Sequence, residues 1–71
     1  MKKYTLNNVD TTNKIAIIDY VREALKREGF VIEAHEFVRE TLQCEDIDEV
    51  IEKALFKLDE ANGADYYENF E

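Results

Sequence analysis

A mostly α fold is expected for this chain: three short amphipathic helices preceded by a short extended or β N-terminal arm. Three observations lead there. Apolar residues recur at i, i+3, i+4 and i+7 in separate stretches, which is the period of a helix and not of a strand. Proline is absent, glycine occurs twice and 37% of residues are charged, a composition suited to helices with short connections. The only β-leaning stretch at the start is Lys3-Tyr4-Thr5-Leu6. At 71 residues the chain makes a single small domain, divided into an arm (1–12), a helical body (13–63) and an acidic aromatic tail (64–71).

Along the chain, Asn7 to Asn13 is polar and rich in capping side chains, a turn leading into a helix, with Thr11, Thr12 and Asn13 as N-cap candidates. The first helix is expected from about Asn13 to Glu28. Ile17, Ile18, Val21, Ala24 and Leu25 form its apolar face. Lys26 and Arg27 suit its negative end, and Gly29 follows as the residue able to take positive φ. Phe30-Val31-Ile32 reads either as a short buried strand or as the apolar lead-in to a second helix, Glu33 to Gln43, whose stripe is Ala34, Phe37, Val38, Thr41 and Leu42. Asp46, three residues before Glu49, resembles a capping arrangement. Ile47, Val50, Ile51, Ala54, Leu55, Leu58 and Ala61 then give the cleanest stripe, a third helix expected from Asp46 to Ala61 and stopped by Asn62-Gly63.

A chain this short buries little apolar surface. Its one cysteine, Cys44, rules out an intrachain disulfide, and one His with one Cys makes a poor metal site, so no cofactor or metal is expected. Self-association is the remaining remedy, and a homodimer is expected. The start has a basic head with no apolar stretch after it, unlike a signal peptide, and no apolar run reaches bilayer length. With a lone thiol, these features place the protein in a reducing cytoplasm, away from membranes.

The charge is uneven. Residues 31–71 carry thirteen acids against three bases, a net −10, whereas residues 1–30 carry six bases against four acids, a net +2. A one-signed field of this kind attracts basic partners and repels nucleic acid and anionic membrane. Glu33, Glu36 and Glu40 fall at i, i+3 and i+7 on the second helix, roughly 4.5 and 6 Å apart along the axis. Glu45, Asp48 and Glu52 repeat those offsets, with Glu49 beside them, and Asp59, Glu60, Asp65 and Glu68 continue the acidic set. Like charges at these offsets cost an isolated helix a few tenths of a kcal/mol, roughly, per pair. They read either as a solvated face that keeps a small protein soluble or as a display of carboxylates standing in for phosphates. Tyr66, Tyr67 and Phe70 are candidate core-end covers or interface anchors within the acidic tail.

Several chemistries find no support. His35 has no second histidine and no positioned partner. Cys44 sits beside Glu45 and Asp46, which disfavour a thiolate. A calcium loop counted from Asp46 would need Gly at the position of Ile51 and Glu at that of Lys57. An acyl carrier needs a serine, and the chain has none. Four-thiolate clusters are excluded by the single cysteine. No enzyme is expected.

In size, charge and overall character, and through the acidic sets Glu33 to Glu40, Glu45 to Glu52 and Asp59 to Glu71, the chain resembles the small acidic host-takeover proteins of bacteriophages. It is most similar to the DNA mimics among them that inhibit the bacterial histone-like protein HU. No fixed motif carries the likeness. The resemblance implies a dimer in the host cytoplasm that covers the DNA-binding face of a basic, nucleic-acid-binding host protein such as HU, with no direct contact to nucleic acid. The basic first third departs from a pure mimic: Lys2, Lys3, Lys14, Arg22, Lys26 and Arg27 would face away from the target or balance charge across a dimer. The rival expectation is a protein-interaction regulator, an antitoxin or an RNA polymerase inhibitor, anchored through the aromatic tail.

Overall fold

Asn13 sets the first helix. Its backbone is extended and its side-chain Oδ1 accepts from the N–H groups of Ile15 (3.1 Å) and Ala16 (3.3 Å), so of the three candidates it is the N-cap of α1 (Lys14–Arg27). The far end closes as a Schellman motif: Gly29 has φ +88°, its N–H donates to Lys26 O, and the Phe30 N–H reaches back to Leu25 O at 2.8 Å. The computed structural model describes the backbone of residues 3–68 and the side chains of residues 3–63.

The second helix, α2 (Val31–Gln43), starts two residues earlier than the sequence pattern places it. Phe30, which closes α1, also accepts from the Ala34 N–H at 2.9 Å and so opens α2. One residue serves both ends and leaves no length for a strand over 30–32. Val31 and Ile32 are consequently exposed, not buried. At its other end α2 has no base in its last turn; Lys14 supplies one from α1, its Nζ donating to the carbonyls of Leu42 and Cys44.

The third helix, α3 (Ile47–Glu68), opens on Asp46, whose Oδ1 accepts from the Asp48 N–H at 3.0 Å. It does not stop at Asn62-Gly63 but runs through both. Asn62 is buried and its amide is committed to the arm: Oδ1 accepts from the N–H groups of Lys3 (3.0 Å) and Tyr4 (2.8 Å), while Nδ2 donates to Tyr4 O at 2.9 Å. A side chain consumed in this way does not compete with its own helix backbone. The arm's backbone is held by that amide and by the Tyr20 hydroxyl, which accepts from the Thr5 N–H at 3.3 Å, and by no strand; among the described residues the fold has three helices and no β-structure.

Helix α1 is the hub, packing along both α2 and α3, which touch each other less. The core joins Ile17, Ile18, Val21, Ala24 and Leu25 of α1, Ala34 and Phe37 of α2, and Val50, Ala54, Leu58 and Ala61 of α3. Thr41 is also fully buried, its hydroxyl donating to Phe37 O at 2.6 Å. Leu42 and Leu55, expected on the apolar stripes, are exposed at the stripe edges. Tyr4 is a core residue that the sequence pattern does not mark.

Candidate functional site

The acids of two helices meet in one place. Because α2 and α3 both lean on α1, a groove runs between their outer flanks. Glu40 of α2 and Glu49, Glu52, Lys53, Phe56 and Lys57 of α3 line its length, and Gln43, Cys44, Glu45 and Asp46 continue it around the α2–α3 connection. Five carboxylates therefore face two ammonium groups. Glu40, Glu45, Glu49 and Glu52 are exposed, and none of them forms an ion pair among the described residues.

Several of the molecule's bases have partners of their own. Lys3 pairs with Glu28 at 3.0 Å, Arg22 spans Asp19 and Glu23, and Lys14 caps α2. Three cations of the first third, Lys3, Lys14 and Arg22, are thus engaged within that third or on backbone carbonyls. Lys57 does neutralise one expected site acid, Glu60, at 3.5 Å.

The other expected site residues are spread around this groove. Glu33 and Glu36 extend the Glu40 stripe along α2, Glu33 half-buried and Glu36 exposed. Asp48 is exposed but lies one residue, about 100° of helix rotation, from Glu49 and does not line the groove. Asp59 lines a different depression, between Leu55 of α3 and the arm at Thr5 and Leu6. Asp65, Tyr66, Tyr67 and Glu68 continue α3, and their side chains lie outside the described residues, as does all of Phe70 and Glu71.

One groove residue carries no signal in the acidic pattern. Phe56 is 66% exposed in the centre of the acidic flank of α3. Its position is legible from the sequence: Val50, Ala54, Leu58 and Ala61 define the buried side, and Phe56, two residues from both Ala54 and Leu58, falls opposite.

Ionisation is perturbed at three places, the first being Asp10, whose carboxyl is lowered by the Thr12 hydroxyl and N–H that donate to it. The Cys44 thiol is pushed up, first by burial and then by the neighbouring Glu49, and its Sγ lies 3.4 Å from Glu40 O. That environment opposes nucleophilic chemistry. Away from the groove, the Glu28 carboxyl is held below its ordinary range by the Tyr4 hydroxyl, which donates to it at 2.7 Å, and by Lys3. Tyr4 is correspondingly raised, by burial first. This cluster fastens the arm to the C-terminal end of α1.

The groove can offer hydrogen-bond acceptors and negative potential to a cationic surface, with one exposed aromatic ring among them. No family model, curated protein or solved structure matches the chain.

Proposed function

We propose that the protein is a binding protein that occludes the nucleic-acid-binding face of a basic protein, of the HU type, by presenting the α2–α3 carboxylates where a phosphate backbone would lie. The observation that carries this reading is the convergence of Glu40, Glu45, Glu49 and Glu52 on one groove, none of them in an ion pair among the described residues, although Lys53 and Lys57 also line it. Carboxylates one helical turn apart are coarser than phosphates, which recur about every 3.4 Å along a DNA strand, yet they build a comparable continuous field. Counterions released from both surfaces make such an association sensitive to salt. A homodimer would double the acidic surface, and the small core of a 71-residue chain favours one.

The test is displacement of a fluorescent DNA duplex from purified HU at low and high salt. The wild type is expected to displace DNA at low salt and to lose that ability as salt rises. Reversing Glu40, Glu49 and Glu52 to Lys abolishes displacement with helicity unchanged, whereas Asp48→Lys, outside the groove, weakens it only slightly. Equal displacement by the triple variant refutes the proposal.

A second reading has its own observation. The exposed Phe56 and Leu55 favour a regulator held by apolar contact, with the tail of Tyr66 and Tyr67 as a further anchor. Binding that survives high salt selects this reading over the first.

A further inference from the structure

We propose that the α2–α3 groove docks an arginine-bearing segment of the partner, with the guanidinium plane lying on the Phe56 ring and its edge turned toward Glu52, one helical turn away. This rests on the reading of the groove as a docking surface for a basic protein, and it names which cation that surface selects.

Phe56 is the starting point. The chain buries Phe37 completely and Phe30 partly, yet leaves Phe56 66% exposed. The ring lies in a groove of about 470 Å³ lined also by Glu40, Glu49, Glu52, Lys53 and Lys57. An apolar partner side chain would be a poor occupant there, because its approach strips water from carboxylates and returns no hydrogen bond. The surface asks for a group that is flat and apolar on its face and cationic at its edge.

A guanidinium meets both demands. Its plane stacks on an aromatic face, its edge N–H groups reach carboxylates in pairs, and it is weakly hydrated. An ammonium is a compact, strongly hydrated charge and gains less from the ring. Lys53 and Lys57 line the same groove, and Lys57 is already held by Glu60 at 3.5 Å. Among the described residues the cation over an aromatic ring is Lys3, above Tyr4, not a base above Phe56. Lys53, one turn before Phe56, lines the groove without an ion pair among the described residues, yet no described base stacks on the ring, so its face is left to a cation that stacks better than an ammonium.

The experiment measures binding of octaarginine and octalysine to the full chain by calorimetry at low salt, for the wild type, Phe56→Leu, and the Glu40, Glu49, Glu52 to Lys variant. Phe56→Leu keeps apolar area and removes the π face, and an exposed site tolerates the change; far-UV dichroism and sedimentation check fold and assembly. The wild type is expected to prefer octaarginine, and Phe56→Leu to cut that preference by about three- to fivefold while octalysine affinity stays unchanged. A preference unaltered by Phe56→Leu overturns the inference and leaves the charge-based function standing. Failure of both peptides to bind the wild type overturns both. A dimer that dissociates in Phe56→Leu also overturns it, since a second copy of the chain would then occupy the face.

Discussion

Asn62→Ala separates two opposite expectations for the same residue. If Asn62 served only to end a helix, alanine would stabilise the protein, by about 0.5 kcal/mol of helix propensity. In the structure its amide makes three bonds to the arm, two of them to the buried N–H and C=O of Tyr4. Leaving those two groups without partners costs about 1–3 kcal/mol each. The arm can escape that cost by swinging into water, but it then exposes Tyr4, 6% accessible in the fold, and forfeits roughly 1.5–3 kcal/mol of burial. Arm release sets the ceiling, so after the propensity gain the net loss is about 1–2.5 kcal/mol. The whole stability of a chain this size is about 4–10 kcal/mol, so the effect is large. Urea denaturation followed by far-UV dichroism measures it, with a fall in midpoint at unchanged slope as the expected result. A midpoint equal to or above that of the wild type refutes the clamp.

Other substitutions probe the remaining joints. Glu28→Gln should flatten the acid limb of stability: the folded carboxyl is depressed below its ordinary 4.5 by Tyr4 and Lys3, so its contribution is present above pH 4.5 and is lost as pH falls through the depressed value. Midpoints measured across the acid range check this, and an unchanged limb counts against the cluster. Asn13→Ala removes the acceptor for two N–H groups of α1 and is expected to cost about 1 kcal/mol in the same denaturation assay. Gly29→Ala forces a side chain into φ +88° and should cost about 1–2 kcal/mol, although open space surrounds the site. Phe37→Ala, at a fully buried site, should cost about 3–5 kcal/mol, enough to populate unfolded chain at ambient temperature, as amide exchange would report.

Periodicity reads well where a helix buries a broad face. The α1 stripe matches the buried set residue for residue, because a hub helix buries a broad face on both sides. The flanking helices bury narrower faces, and their stripe edges, Leu42 and Leu55, fall into solvent. What local pattern does not carry is pairing across the length of the chain. Tyr4 and Asn62 are 58 positions apart, and each has a sound local reading that their contact overrides: Tyr4 as part of a strand, Asn62 as a helix stop. Phe30 is similar on a smaller scale, since its double duty depends on how closely α2 follows α1. Of the acids, the sequence shows the stripes on each helix. It takes the packing of α2 and α3 on a common helix to bring Glu40 beside Glu49 and to turn Asp48 and Asp59 elsewhere.

The division of charge gains its meaning from where the bases go. An acidic stretch next to a basic one commonly folds so that the two neutralise each other, and a net −8 then says little about any surface. Here Lys3, Lys14 and Arg22 are engaged with Glu28, with the end of α2, and with Asp19 and Glu23. They hold the arm and the helix junctions, which are joints a small core needs. The structural demand for cations is thus met within the N-terminal part and at backbone ends, and the groove keeps five carboxylates against two lysines. Each engaged base is one fewer counter-charge for the groove, and Lys14 also fixes the groove's end through the Cys44 carbonyl, so loosening that joint should weaken binding of the proposed partner. Lys14→Met tests that link: by freeing the end of α2 that carries Glu40, it is expected to lower affinity for HU while leaving every groove residue in place, and full affinity in a destabilised Lys14→Met protein would show that the groove does not depend on the joint.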